Sequence, residues 1–151
     1  MYLLFLIISA ALVGCDILTK YLVASNMSLG ETLPLIEGVF HLTRVQNTGA
    51  AFSILSGQRL FLVLLPLVIV FALVFYIIVK KPKSKLLVLS FSMIIAGGIG
   101  NLIDRISLGY VIDFLDFRII NFPVFNFADI CVTLGAGLFI GLLLFSKEEV
   151  I

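Results

Sequence analysis

Four of the nine acidic residues of this chain lie between residues 104 and 129: Asp104, Asp113, Asp116 and Asp129. Asp113 and Asp129 are each flanked by Phe and Ile, in VIDF and FNFADI. Two carboxyl groups in one apolar site cannot both ionise cheaply, so one pKa rises and a proton is shared. The ionised member then acts as a general base on water, and the protonated member polarises a carbonyl or protonates a leaving amine. Such a pair predicts aspartic peptide hydrolysis without a metal.

Each of these acids also has another interpretation. Asp129 stands where an apolar helix is expected to begin, so capping of the helix N-terminus explains it as well as catalysis does. Asp104 competes with Asp113 as the second acid of the pair. Asp104 and Arg105 are expected to follow the end of the third apolar segment, where a solvated boundary pair is the alternative. Asp116 is expected to be more exposed than Asp113.

Two asparagines are placed to support such a site. Asn101 precedes Arg105 by one helical turn, so both side chains can reach the same site. Asn126 precedes Asp129 by three residues, and we expect both to point into one cavity.

The first and third apolar segments carry further candidates. Asp16 and Lys20 are one helical turn apart with the acid first, an order that favours pairing. A structural ion pair explains them, with direct substrate contact as the alternative. Gly97, Gly98 and Gly100 leave little side-chain bulk, which lets a neighbouring helix or a ligand approach closely.

The sequence shows no competing catalytic device. It contains neither a G-x-S-x-G elbow nor an H-E-x-x-H motif. Cys15, Cys131 and the single His41 are far apart in sequence and make a poor set of metal ligands, so we expect no metal and no cofactor. The net charge of +1 and the lack of basic runs with interleaved aromatics argue against nucleic acid as a partner.

The elements that position these residues are expected to lie in a bilayer. The chain is 62% hydrophobic and 13% charged, with a mean hydropathy of +1.25, so its charges could hardly cover a water-facing surface. Apolar runs of about 20 residues span a bilayer as helices. We expect a single integral membrane domain over residues 1–151, with four transmembrane helices at about 2–23, 60–79, 86–103 and 129–146.

Charge and periodicity predict how the connections are arranged. The loop KKPKSK at 80–85 is rich in lysine and therefore predicted to be cytoplasmic. Both termini are then cytoplasmic, and segments of about 24–59 and 104–128 are extracytoplasmic. Residues 40–46 alternate apolar and polar side chains as a strand does. We expect an all-α membrane protein with a small extracytoplasmic β-sheet cradle, and a further strand or a short interfacial helix at 50–55.

Five blocks of this sequence resemble bacterial lipoprotein signal peptidase, also called signal peptidase II. Their order and spacing agree with that family, and the resemblance covers nearly the whole chain. The blocks are DILTK at 16–20, NTGAAFSIL at 47–55, GGIGNLIDR at 97–105, GYVIDF at 109–114 and FNFADI at 125–130.

The resemblance implies a peptidase of the bacterial cytoplasmic membrane with its active site at the outer face. Such an enzyme removes the signal peptide from prolipoproteins, just before a cysteine that carries a diacylglyceryl group. The catalytic aspartates of the family match Asp113 and Asp129, which favours Asp113 over Asp104. The other matching polar residues are Asp16, Asn47, Asn101, Asp104, Arg105 and Asn126.

The resemblance also suggests roles and partners. Asn47 and Gly49 in the cradle are expected to clamp the extended substrate. Arg105 holds either a substrate carbonyl or a lipid phosphate, and Asp104 bonds an amide or Arg105. The diacylglyceryl chains are expected to lie between helices, in contact with membrane phospholipid, and the protein is expected to be a monomer.

A non-enzymatic small membrane subunit or a proton-relaying transporter is the alternative from another class. It requires acids along a path through the bilayer, whereas only Asp16 interrupts a predicted membrane segment.

Overall fold

Four long helices dominate the computed structural model, which describes residues 1–50, 54–120 and 122–145. Each helix is long and apolar enough to cross a membrane. The helices are α1 (Tyr2–Asn26), α2 (Arg59–Lys80), α3 (Lys85–Ser107) and α4 (Phe127–Phe145). The strands are β1 (Thr32–Ile36), β2 (Phe40–Asn47) and β3 (Val111–Phe117), followed by a 3-10 helix at Arg118–Ile120. The expected fold class, four apolar helices with a small sheet, is confirmed.

The helix α3 lies at the centre of the bundle and packs against the other three helices. Of the 18-residue apolar stretch of α3 that would cross the membrane, 56% is buried inside the protein. Only 11% of the corresponding stretch of α2 is buried. Most apolar side chains of α1, α2 and α4 therefore face outward, as they do when lipid is the solvent.

Glycines bring α3 and α4 into close contact. A Cβ atom on Gly97 would lie 2.3 Å from the carbonyl oxygen of Ala128, and one on Gly135 would lie 2.9 Å from that of Ser90. The Ser90 hydroxyl donates a hydrogen bond to the Gly135 carbonyl at 2.8 Å. Small residues and interhelical hydrogen bonds replace the hydrophobic effect as the source of helix association in lipid.

The three strands form one antiparallel sheet in the order β1-β2-β3. Only β1 and β2 come from the segment in which strands were expected. The third strand comes from the connection between α3 and α4, and it places Asp113 opposite Val45 on β2. The sheet thus carries one of the candidate catalytic acids. Arg44 on β2 attaches the sheet to the bundle, because it donates to two carbonyls at the end of α1. Arg59 at the start of α2 donates to two carbonyls in the last turn of α3 and so joins those two helices.

The end of α3 differs from the expectation. The helix runs to Ser107, so Asp104 and Arg105 lie within its last turn and are buried, not solvated after its end. Burial is tolerated because Asp104 is paired with Lys20 at 3.1 Å and both side chains are hydrogen-bonded. Of the segment 50–55, where a strand or a short interfacial helix was expected, residues 51–53 lie outside the described residues.

Candidate active site

Asp113 is held in the sheet with both carboxylate oxygens hydrogen-bonded. Asn47 on the neighbouring strand donates its Nδ2 to Oδ2 at 2.9 Å, and Asn126 donates its Nδ2 to Oδ1 at 2.6 Å. The Asp113 residue is only 2% exposed. Because every one of these partners is uncharged, the carboxyl group can hold either a charge or a proton.

Asp129 lies in the first turn of α4 and forms a reciprocal cap with Asn126. The Asn126 Oδ1 accepts from the Asp129 backbone N–H at 3.0 Å, and Asp129 Oδ2 accepts from the Asn126 backbone N–H at 3.1 Å. The capping interpretation of Asp129 is therefore correct. The cap uses only one carboxylate oxygen of Asp129, Oδ2. The other oxygen, Oδ1, accepts a hydrogen bond from Asn101 Nδ2 at 2.8 Å. One oxygen caps the helix and the other belongs to the site.

The two asparagines link the two acids. Asn126 donates its Nδ2 to Asn101 Oδ1 at 3.1 Å as well as to Asp113. A chain of hydrogen bonds thus runs from Asp113 through Asn126 and Asn101 to Asp129. Asn126 and Asp129 were expected to point into one cavity, and this is wrong for Asn126. Asp129 lines the cavity, whereas Asn126 is fully buried and is not a lining residue.

Asp113 and Asp129 line the same cavity, which has a volume of about 970 Å³. Its polar end also includes Asn47, Asn101 and Arg105. Below this end the walls are mainly apolar and come from α2, α3 and α4, including Leu65, Pro66, Ile69, Val70, Ile94 and Val132. A pair of acids therefore lies at one end of an apolar channel within the bundle.

The electrostatics of Asp113 suit a shared proton. Burial, followed by the nearby charge of Asp129, raises the pKa of Asp113 from 3.8 to about 6, against the opposing hydrogen bonds from Asn47 and Asn126. Asp113 therefore keeps its proton at pH values where an exposed carboxyl group would have lost it.

Next to Asp113 and Asp129, Arg105 is hydrogen-bonded to the loop that follows β2. Arg105 donates its Nη2 to the Gly49 carbonyl at 2.8 Å, and the Gly49 N–H donates to Asn47 Oδ1 at 2.9 Å. The loop that follows β2 is thereby fixed at the polar end of the cavity, where Asn47, Ala50 and Arg105 are all lining residues.

Asp16 and Lys20 form the predicted ion pair, with Lys20 Nζ 2.8 Å from Asp16 Oδ2. Asp104 joins them at 3.1 Å from the same ammonium group and accepts the backbone N–H of Ile112 at 3.1 Å. Among the described residues, none of these three charged side chains lines the cavity. The structure places them behind the site and gives no support to direct substrate contact or to Asp104 as the second acid.

Asp116 belongs to a different environment. It is 8% exposed, against 2% for Asp113, so it is the more exposed of the two and is still buried. Burial alone would raise the pKa of Asp116, but hydrogen bonds from Thr43 at 2.6 Å and Arg118 at 2.9 Å outweigh it and lower that pKa. Asp116 is a structural acid of the sheet.

Sequence reasoning missed several contributors. The bond from Lys20 to Asn101 joins residues 81 positions apart, and no spacing rule relates them. Phe122 and Phe125 line the cavity and pack edge to face with centroids 5.5 Å apart; their aromatic clustering around FPVFNF was the available signal. No cluster of three or more His, Cys, Asp or Glu that could hold a metal ion occurs in the part of the chain that is described.

The sequence and the fold both have close relatives. Lipoprotein signal peptidases of Halothermothrix orenii, Streptococcus thermophilus and Brevibacillus brevis are 52%, 48% and 44% identical, over 89%, 92% and 87% of this chain and about nine-tenths of each relative. A bacterial membrane enzyme solved by the in meso method at 2.3 Å resolution superposes with a TM-score of 0.89 and 35% identity, over 96% of this chain and 92% of that one. A second, solved at 1.9 Å resolution, gives 0.84 and 34%, over 95% and 94%.

A sequence model of peptidase family A8, described as signal peptidase (SPase) II, matches residues 8–145, a range that includes every acid and asparagine of the site and every residue that lines the cavity. This chain therefore belongs to the signal peptidase II family.

Proposed function

We propose that this protein is an aspartic endopeptidase that removes the signal peptide from diacylglyceryl-modified prolipoproteins, cutting just before the lipidated cysteine. Family membership supports prolipoproteins as the substrates. The observation that carries the proposal is that Asp113 and Asp129, from a strand and a helix, line one cavity and are linked through Asn126 and Asn101.

The roles of the two acids follow from their surroundings. Asp129 lies at a helix N-terminus, which favours a negative charge, so it is the carboxylate. Asp113 holds the proton, in keeping with its raised pKa of about 6. Asp129 takes a proton from water, whose oxygen attacks the scissile carbonyl carbon, while Asp113 gives its proton to the carbonyl oxygen. Asp129 then protonates the leaving amine, Asp113 recovers a proton from the tetrahedral intermediate, and the C–N bond breaks.

The apolar part of the cavity supports a lipidated substrate. Its wall residues on α2 and α4, such as Leu65, Ile69 and Leu134, are exposed and not covered by the rest of the described chain. Acyl chains attached to a cysteine near the acids can therefore lie against these side chains and continue into the surrounding lipid. A polar substrate would find few matching groups there, because the charged and amide side chains gather at one end and Thr133 is the one further polar side chain among the described lining residues.

The protein is a multi-pass bacterial membrane protein, and we infer its orientation from charge. The lysine-rich connection at 80–85 joins α2 to α3 at the end of the bundle opposite the sheet and the acids. This places both termini in the cytoplasm and the active site at the extracytoplasmic face. We also propose that the chain forms one integral membrane domain and acts as a monomer, because the two acids and the two asparagines between them are linked without a group from a second copy.

A proton-relaying transporter is not favoured. Among the described residues, the acids associated with α1, α3 and α4 gather at one end of the bundle, where Asp16 reaches the start of α4 and Asp104 reaches β3. They do not mark a path from one side of the bilayer to the other.

Isosteric removal of each acid tests the function. Asp113→Asn and Asp129→Asn should each lower cleavage of a purified diacylglyceryl-modified precursor by about 10²- to 10⁴-fold or more, because a neutral amide neither accepts nor supplies the transferred proton. Cleavage is read as the mass shift of the precursor, and folding as the melting temperature in detergent.

Asp116→Asn is the matched control. That buried acid lies on the same strand as Asp113 but outside the cavity, so the variant should cleave at nearly the rate of the unmodified enzyme. Cleavage at the unmodified rate by Asp113→Asn or Asp129→Asn would overturn the assignment.

A further inference from the structure

The backbones of the two catalytic aspartates are held in the same way. The residue before Asp129 donates its backbone N–H to Asp16 Oδ1 at 2.9 Å. The residue before Asp113 donates its backbone N–H to Asp104 Oδ2 at 3.1 Å. Each catalytic acid is thus tied, one residue upstream, to a buried carboxylate that is not part of the cavity lining.

A single ammonium group joins these two carboxylates. Lys20 Nζ lies 2.8 Å from Asp16 Oδ2 and 3.1 Å from Asp104 Oδ2, and it donates to Asn101 Oδ1 at 3.0 Å. The ammonium group thus lies within ion-pair distance of both carboxylates and donates a hydrogen bond to the Asn101 amide. The Lys20 side chain is 3% exposed, and in the described part of the chain no other cation pairs with either acid.

The hydrogen bond from Lys20 fixes which way the side-chain amide of Asn101 points. With Oδ1 occupied by Lys20 and Asn126, the Nδ2 group is the side that faces Asp129 Oδ1, at 2.8 Å. Without the lysine, a flipped Asn101 amide would present an oxygen to the Asp129 carboxylate and repel it.

We propose that Lys20 is a positioning residue that sets the separation and relative orientation of Asp113 and Asp129. The inference rests on the proposed function, because it concerns the geometry of that dyad. The ammonium group draws together the two carboxylates that hold the upstream backbone of each catalytic acid, and it orients the amide between them. No part of Lys20 contacts the cavity, so it acts only through other groups.

The packing leaves this arrangement little freedom to relax. A Cβ atom on Gly100 would lie 2.4 Å from Asp16 Oδ2, so the Asp16 carboxylate rests directly on the backbone of α3. If the lysine charge is removed, two buried like charges face each other without compensation. The resulting displacement is transmitted to both catalytic aspartates through the two backbone N–H bonds. A misplacement of about 1 Å in a catalytic constellation can cost about 100-fold in rate.

Substituting the lysine tests the proposal. Lys20→Met should lower kcat by about 10- to 100-fold and leave KM for the diacylated precursor within about twofold. The charge of Lys20 also lowers the pKa of Asp113. In Lys20→Met the alkaline limb of the kcat/KM profile should therefore move to higher pH. A loss of kcat without a matching loss of melting temperature separates positioning from a merely structural role.

A second variant covers the case in which Lys20→Met does not fold. In Asp16→Asn/Lys20→Met/Asp104→Asn the cluster of Asp16, Lys20 and Asp104 carries no charge, and an amide oxygen at positions 16 and 104 can still accept the same backbone N–H. This variant should fold, as judged from its melting temperature. It should still lose kcat with KM unchanged, because no ammonium group then joins positions 16 and 104 or orients the Asn101 amide. The matched control is Asp116→Asn/Arg118→Met, which removes an ion pair from the sheet and should retain kcat.

The possible results are distinguishable. If Asp113→Asn and Asp129→Asn are inactive but the triple variant keeps the kcat of the unmodified enzyme, the inference about Lys20 is wrong and the proposed function stands. If Asp113→Asn and Asp129→Asn themselves cleave at the rate of the unmodified enzyme, the proposed function is wrong, and the inference about Lys20 is wrong with it. A rise in KM with unchanged kcat in either lysine variant would assign Lys20 to substrate binding and overturn the positioning role.

Discussion

At the scale of single residues, Asn126 shares its groups between folding and the proposed chemistry. Its Oδ1 and backbone N–H cap α4 together with Asp129, and its Nδ2 donates to Asp113 and Asn101. The side chain is completely buried, so no water competes for these bonds. The start of α4 and the position of the Asp113 carboxyl group are therefore coupled through one amide.

The raised pKa of Asp113 predicts the pH dependence of the enzyme. Burial and the charge of Asp129 keep Asp113 protonated up to about pH 6, whereas an exposed aspartate loses its proton near 3.8. The form with one proton on the dyad is lost as pH rises through that value, so kcat/KM of the free enzyme should fall above about pH 6. Bound substrate excludes more water from Asp113, which moves the corresponding limb of kcat to higher pH.

The measurement is cleavage of a diacylated precursor in detergent between pH 4.5 and 8.5. The raised pKa of Asp113 also affects the stability of the fold. It stabilises the folded state below pH 3.8, and this contribution is lost as pH rises through about 6. A kcat/KM that stays constant from pH 5 to 8 would contradict the assignment of the shared proton to Asp113.

At the scale of elements, the last two turns of α3 organise the site. Asn101, Asp104 and Arg105 are spaced so that they share one face of the helix. They contact α1, the N-terminus of α4, the strand that carries Asp113 and the loop after β2. Because α3 packs so closely against α4, a change in their separation alters the geometry of every one of these contacts.

Two glycines on α4 allow that packing to be tested. A Cβ atom on Gly135 would lie 2.9 Å from Ser90 O and equally close to side chains of α3, whereas one on Gly137 would meet nothing within 4 Å. Gly135→Ala should therefore destabilise the protein by about 1–3 kcal/mol through overpacking. Gly137→Ala, two residues away on the same helix, should be neutral or slightly stabilising because alanine is the better helix former. Melting temperatures in one detergent measure the difference; equal values would show that the helices do not meet as described.

At the scale of the whole molecule, the protein separates a polar end from an apolar body. Asp113 and Asn47 on the sheet meet Asp129 and Asn101 on the helices at the polar end, and the cavity continues from there along α2 and α4. An enzyme built in this way brings water to a peptide bond at one end while the lipid part of its substrate stays in an apolar environment.

Filling the apolar part of the cavity should weaken the binding of a lipidated substrate. Ile69 lines the cavity, whereas Val68, the preceding residue on α2, is 63% exposed and is not a lining residue. Ile69→Trp should raise KM for a diacylated precursor roughly tenfold, equivalent to about 1.4 kcal/mol. Val68→Trp should leave KM unchanged, since its side chain faces lipid. Equal KM values for the two variants would place the acyl chains elsewhere.

The proposed orientation can be tested on intact cells. After Cys15→Ser and Cys131→Ser, single cysteines are introduced as Glu37→Cys beside the sheet or Lys83→Cys in the lysine-rich loop, both at exposed positions. A membrane-impermeant thiol reagent should label the Glu37 variant in intact cells and the Lys83 variant only after lysis. The reverse pattern would invert the topology.

Local sequence features were enough to predict the helices and the candidate acids. An uncharged apolar run of about 20 residues has few alternatives to a membrane helix, because every backbone polar group must be satisfied internally in lipid. The cap at Asp129 and the pair of Asp16 with Lys20 were also predictable, since capping and i,i+4 pairing depend on neighbours within one turn. The resemblance to signal peptidase II then selected Asp113.

Only the tertiary structure decided how these parts meet. It placed β3 beside β2, carried α3 on to Ser107, and directed Asp104 to a backbone N–H behind Asp113. It also placed Asp104 and Asn101, both on α3, within reach of the Lys20 ammonium group. These contacts join residues far apart in the chain, and hydrophobic periodicity or spacing carries no information about them, because they depend on which helices and strands pack together.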